Sequence, residues 1–197
     1  MRRVLAVLLV LVLGIGLVPP VQARTFDGIA PFQANGRTFC TTFAIAKDTW
    51  ATAAHCALYA MELRQQGAAI SINGVYAEVI SVDGIWDLAV VHSQYSGYTL
   101  PLGSTAPAVG DAIEVQGFPY GMGPAATYGH IAALNIPIEG YHMSNILDLT
   151  VAGGNSGSPV LMKGKVIGVL WGGFINSPHS LAVPFEATVR YLRDYLK

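Results

Sequence analysis

The sequence predicts an all-β fold, a barrel or a sandwich, and three observations carry that prediction. Short apolar or alternating runs recur along the chain, each bounded by Gly, Pro, Asn or Asp. Long helical periodicity is scarce. A stretch over residues 94–110 contains three glycines, two prolines and several Ser/Thr, and it divides the chain beyond its leader into similar halves.

The first element is a leader. Arg2 and Arg3 precede an apolar run over residues 4–18, then Pro19-Pro20, then Val21-Gln22-Ala23. This is the n-region, h-region and small-residue cleavage site of a signal peptide over residues 1–23. The run is shorter than the roughly 20 residues a spanning helix needs, which counts against the alternative of a retained anchor. No cysteine follows it, so no lipid anchor is expected. The expected product, residues 24–197, is secreted or periplasmic and has no membrane segment after cleavage. Without Arg2 and Arg3, nine basic residues face twelve acidic ones. No Lys or Arg occurs between Arg64 and Lys163. Nucleic-acid binding needs a basic footprint, so that partner class is excluded. Cys40 and Cys56 are the two cysteines. In an exported chain such a pair reads as a disulfide, and two thiols without CxxC spacing make poor zinc ligands.

Strands are predicted over 38–46, 70–72, 75–82, 87–92, 112–116, 130–134, 146–151, 159–161, 166–171 and 181–183. Residues 53–66 suit a short helix. A final helix is predicted over 184–197: Pro184 fits its first turn, and Phe185, Val189, Leu192 and Leu196 fall on one face. The halves are a first unit over about 24–95, a linker over about 96–110 and a second unit over about 111–183.

Residues 153–160 read GGNSGSPV. Gly and Asn supply tight turns, so a plain turn is one reading. The other makes Ser156 a nucleophile whose loop brings backbone N–H groups close to a substrate. Residues 50–56 read WATAAHC. A lone histidine is ordinarily structural, but a Cys40–Cys56 bridge would fix the backbone at His55, and a general base needs such fixing. Residues 85–91 read IWDLAVV, which places Asp87 in an apolar run. A carboxylate there either faces water at a strand entrance or is buried and paired. Asp83 is a weaker rival, since Asp83-Gly84 reads as a turn.

TAAHC, D-L-A-V and GNSGSP, in this order, resemble the chymotrypsin-like (trypsin-like) serine peptidases over nearly the whole chain past the leader. GGNSGSPV with VIGVLWGG resembles the bacterial glutamyl-endopeptidase branch, and LAVP before the last helix resembles the HtrA-like branch, here expected without a PDZ module. The resemblance implies two packed six-stranded antiparallel barrels with the site between them. It implies that His55 is general base and then general acid, that Asp87 holds its tautomer, and that Ser156 attacks. The N–H groups of Gly154 and Ser156 would form the oxyanion hole. Ser158 is the rival serine, and its place before Pro159 makes it structural. An α/β-hydrolase is excluded because that fold wants Ser before Asp before His and G-x-S-x-G.

The sequence departs from the family at several positions. Asn155 stands where trypsin-like animal enzymes carry an Asp that pairs with a new N-terminus, so no further activating cut is expected. The glutamyl branch binds a substrate carboxylate with a Thr and a His, where this chain has Val151 and Leu170. Thr150 stands where a trypsin-like pocket holds an Asp. The expected pocket, formed by Thr150, Val151, Leu170, Trp171, Gly172 and Gly173, suits an apolar or small residue before the scissile bond. Gly172, Gly173 and Phe174 shape it. The resulting expectation is a monomeric serine-type endopeptidase acting on peptide or protein, with no cofactor and no metal. The alternative is a catalytically silent homologue that binds peptide or protein in the same cleft between the barrels. His92, His130, His142 and His179 receive no role.

Overall fold

A computed structural model describes residues 26–174 and 176–196, so the leader expected over residues 1–23 lies outside the described residues. The first barrel holds β1 (Ile29–Ala34), β2 (Arg37–Ala46), β3 (Thr49–Thr52), β4 (Ile70–Ile72), β5 (Val75–Asp83) and β6 (Leu88–Ser93). It closes in the order β1-β2-β3-β6-β5-β4. The second holds β7 (Ala112–Gly117), β8 (Ala125–Pro137), β9 (Met143–Asp148), β10 (Pro159–Met162), β11 (Lys165–Gly173) and β12 (His179–Ala182). It closes as β7-β8-β9-β12-β11-β10, the same connectivity six strands later. Closure removes the open sheet edges that would otherwise invite association. Helix α1 (Ala54–Gln65) follows β3, and α2 (Phe185–Arg193) ends the fold. The fold is therefore all-β, with two six-stranded antiparallel barrels and a C-terminal helix.

β8 runs over 125–137 instead of 130–134 and β9 over 143–148 instead of 146–151, and three further elements differ from the sequence reading. β1 was not predicted because IAPFQA carries Pro31 and Gln33 and lacks clean alternation. Tertiary pairing makes it a strand: Phe32 sits opposite both Cys40 and Ile72 and is fully buried. β3 is only four residues long and is held between β2 and β6. α2 ends at Arg193, because Tyr195 and Leu196 donate to Leu192 and Arg193 through i−3 bonds. That tightening turns Leu196 off the buried face, and it is 41% exposed while Leu192 is fully buried.

Each barrel has its own core, built in the first around Phe32, Trp50, Ile72 and Val91 and in the second around Val115, Ile131, Leu147 and Ile167. A third cluster joins them. Phe43, Leu88 and Val90 of the first barrel pack with Val166, Val169 and Val183 of the second and with Leu192 of α2. This shared apolar layer fixes one barrel against the other, which any site built from both requires.

Helix α2 adds a polar clasp. The Tyr191 and Tyr195 hydroxyls lie 2.8 and 2.7 Å from Ser81 Oγ on β5. Burial, ahead of the smaller electrostatic contributions, pushes the Tyr191 phenol up from 10.0 to about 12. The unfolded chain therefore ionises first as pH rises. The stabilisation is complete below pH 10 and is lost as pH climbs toward about 12. The urea midpoint is expected to fall more steeply across that window in the wild type than in Tyr191→Phe. Equal slopes would contradict the assignment.

Candidate active site

Helix α1 begins without a side-chain cap from its own N-cap residue, Ala53. Asp87 supplies what the helix lacks. Its Oδ1 accepts the His55 backbone N–H at 2.7 Å, and its Oδ2 lies 2.8 Å from His55 Nδ1. One carboxylate thus satisfies an orphan donor of the first turn, faces the positive end of the helix dipole, and fixes the imidazole ring. Asp87 lies just before β6 with φ +55°, a left-handed conformation that Asp tolerates better than most residues. Its side chain is 16% exposed against 46% for His55. Of the two readings of Asp87, the structure shows the paired, largely buried one. Asp83 is occupied elsewhere: its Oδ1 accepts the N–H groups of Ile85 and Trp86 and closes the preceding turn.

Cys40 and Cys56 form a disulfide that ties β2 to the first turn of α1. Both sulfurs and a His55 ring nitrogen lie within 4.8 Å of one another. Sulfurs joined to each other are not thiolate ligands, so this trio does not offer a metal site. At a sequence separation of 16, such a cross-link is worth about 3 kcal/mol in the chain-entropy model. Reduction is expected to lower unfolding stability by that order, and an unchanged urea midpoint in reductant would contradict it.

The glycine-rich loop brings Ser156 against the same region. Ser156 O accepts the Thr41 N–H at 2.9 Å and lies 3.7 Å from Cys56 Sγ, one residue beyond His55. Two glycines make this approach possible. Gly154 has φ +95°, and a Cβ there would stand 2.3 Å from Phe118 O. Gly157 has φ +85°, and a Cβ would stand 2.2 Å from Thr52 Oγ1 and 2.3 Å from Thr41 O. A side chain at either position would be strained; at Gly154 it would push the loop off the turn at Phe118 in its own barrel, and at Gly157 off the first barrel.

The hydrogen bonding of the loop leaves a specific remainder. The carbonyls of Gly153, Gly154, Asn155 and Ser156 accept from Tyr120 N, Thr41 Oγ1, Ser158 N and Thr41 N respectively. The N–H groups of Asn155 and Gly157 donate to Ala152 O and Leu170 O. Among the described residues, the N–H groups of Gly154 and Ser156 have no acceptor. A trans peptide points its N–H opposite to its carbonyl, so anchoring the Gly153 carbonyl on Tyr120 turns the Gly154 N–H the other way.

Ser156 borders an open cleft of about 280 Å³ lined also by Val151, Ala152, Gly153, Leu170, Gly172, Gly173 and Phe174. None of these side chains is charged. Of the residues expected to form a pocket, Val151, Leu170, Gly172 and Gly173 line this cleft. Thr150 is exposed and does not line it. Trp171 also lies outside the lining. It sits at a bulge between Leu170 and Gly172, donates its indole N–H to Ser144 Oγ at 3.1 Å and packs on Tyr141 and His142. Ser158 is fully buried, with no partner for its Oγ among the described residues, so no substrate reaches it. Asn155 is buried as well. No hydrogen bond joins Ser156 Oγ to His55 among the described residues. That bond is often long or misaligned in ligand-free serine nucleophiles.

The sequence reading missed the residues that hold this arrangement. Thr41 and Thr52 lie far from Ser156 in the chain and carry no motif. Between β7 and β8, the 3-10 turn Pro119–Gly121 anchors Gly153 through the Tyr120 N–H. His142, given no role, lies between the rings of Trp86 and Trp171 at the barrel junction. Positive φ at Tyr120 (+54°) is a structural signal of a constrained site, but the sequence does not display it.

Residues 40–169 match the trypsin-like peptidase domain family. Glutamyl endopeptidase of Staphylococcus epidermidis is 31% identical over 135 residues, 62% of this chain and 47% of that protein. The chain thus spans about half the length of the curated relatives it matches. Among solved structures, an inactive form of the Rv3671c protease of M. tuberculosis H37Rv superposes with a TM-score of 0.69 at 21% identity, covering 85% of this chain and 88% of that one. The HtrA-type protease AlgW with a tripeptide gives a TM-score of 0.70 at 21% identity, covering 88% of this chain and 62% of that one. At these identities the two likenesses speak for the fold.

Proposed function

Because the chain belongs to the trypsin-like peptidase domain family, we propose that it is an exported serine endopeptidase working through His55, Asp87 and Ser156. The observation that carries this reading is the pairing of two features at one place. A carboxylate-bound histidine lies beside the bridged Cys56, and the loop across from it leaves two N–H groups unengaged around Ser156. In the proposed mechanism, His55 takes the Ser156 proton as the hydroxyl attacks the acyl carbon, then returns it to the leaving amine. Asp87 holds Nδ1 protonated and stabilises the imidazolium. The Gly154 and Ser156 N–H groups receive the developing oxyanion, a charge that fixed donors stabilise without reorganisation. Water repeats the sequence on the acyl-enzyme. No cofactor takes part, and the substrate is a peptide or protein bound by a monomer.

The uncharged lining supports an apolar or small residue before the scissile bond. A carboxylate or ammonium group buried against Val151 and Leu170 would lack a partner. The test is a digest of a complex peptide mixture read by mass spectrometry, with Ser156→Ala as control. Cuts that vanish in the variant and follow apolar or small residues are expected. Cleavage chiefly after Glu would overturn the pocket assignment. The absence of a Ser156–His55 hydrogen bond is the observation that favours a silent peptide-binding homologue, and a folded protein that leaves the mixture uncut would support that reading.

A further inference from the structure

We propose that Thr41, a first-barrel residue outside the triad, is a positioning residue whose hydroxyl sets the oxyanion-binding geometry of the second-barrel loop. The inference rests on the peptidase reading and deepens it. Thr41 is fully buried and engages the loop twice. Its N–H donates to Ser156 O at 2.9 Å, and its Oγ1 donates to Gly154 O at 2.8 Å. One residue therefore holds two of the four carbonyls that orient the loop.

The direction of the hydroxyl is fixed by what else it meets. Thr41 Oγ1 accepts the Phe118 N–H at 3.0 Å. A hydroxyl has a single hydrogen, so accepting from Phe118 leaves that hydrogen for the Gly154 carbonyl. Phe118 also begins the turn whose Tyr120 N–H anchors Gly153 O at 2.6 Å. The Gly153–Gly154 and Gly154–Asn155 peptide planes are thus held through one connected set of bonds with Thr41 at its centre. Thr41 is in turn fixed from its own barrel, where its carbonyl accepts Thr52 Oγ1 at 2.8 Å and its neighbour Cys40 is bridged to Cys56. The same stretch of β2 therefore registers the His55 segment through the disulfide and the Gly154 segment through the hydroxyl. Loss of the hydroxyl leaves the Gly154–Asn155 plane held by the Asn155 N–H bond to Ala152 O alone, and leaves the buried Phe118 N–H and the part-buried Gly154 carbonyl without these partners.

Thr41→Val removes the hydroxyl while keeping the side-chain shape and the backbone N–H, and Thr41→Ser keeps the hydroxyl. In Thr41→Val, kcat is expected to fall about 10-fold to 100-fold, somewhat less than direct removal of an oxyanion donor. KM should stay within about twofold, the pattern of an interaction made in the transition state. The acid limb of the pH–rate profile should not move, because the His55–Asp87 pair is untouched. Thr41→Ser should restore kcat to near wild type. If Val proves too poorly folded to assay, Thr41→Ala is read in the same way. Wild-type kcat in the hydroxyl-free variant overturns the proposal, as does an equal loss in Thr41→Ser or an acid limb that shifts with kcat. Wild-type protein inert to a serine-directed phosphonate would instead overturn the peptidase reading, and this inference with it.

Discussion

Ser156→Ala is expected to lower turnover by about six orders of magnitude while leaving the fold and substrate binding in place. The magnitude follows from how a serine, its base and the orienting carboxylate act as a unit: removing the nucleophile alone costs nearly what removing the whole set does. Residual catalysis over water would come from binding and from the two free N–H groups of the loop. Binding should survive because the contacts of Ser156 with the first barrel are made by its backbone carbonyl, which alanine keeps. Steady-state kinetics on a chromogenic peptide, with the thermal midpoint as a folding control, checks this. A variant within tenfold of wild-type turnover would remove Ser156 from the chemistry.

Asp87→Asn is expected to cost about 10⁴-fold in kcat, the magnitude for a triad amide that selects the wrong imidazole tautomer. The carboxylate here accepts two N–H groups of one residue, from the His55 backbone and the ring. An amide has a single acceptor oxygen. If that oxygen keeps the backbone N–H, its NH₂ faces Nδ1 and drives the ring proton to the other nitrogen. If it keeps the ring, α1 loses its N-terminal partner, a loss on the order of 1 kcal/mol. The variant should therefore stay folded with a slightly lowered melting midpoint and little activity. Near wild-type kcat would show that the His55–Asp87 contact is structural only.

The all-β class was legible because antiparallel sheets write short runs between turn residues, while the two closed barrels followed only from the family resemblance. Ten of these runs lie on observed strands, some shifted or shortened at their ends. β1 and β3 escaped for opposite reasons. β1 is made a strand by long-range partners despite Pro31, and β3 is too short to show a period. At the candidate site, TAAHC, D-L-A-V and GNSGSP directed attention to His55, Asp87 and Ser156, since each motif is local. The two functions of Asp87, helix partner and ring partner, were not legible, because they join residues 32 apart. Thr41 left no trace at all: its bond to Gly154 spans 113 positions and depends on how one barrel docks on the other. The pocket was partly legible by counting from Ser156. The bulge between Leu170 and Gly172 sends the Trp171 side chain to Ser144 instead, and a bulge cannot be counted from a motif.

The proposed mechanism requires that Ser156 be activated by its surroundings. Its most direct test is the reaction of the purified protein with a fluorophosphonate at neutral pH, read by intact mass and peptide mapping beside Ser156→Ala. The expected result is one adduct per chain, on Ser156, and none in the variant. No adduct on folded protein, or an adduct on another serine, would contradict it.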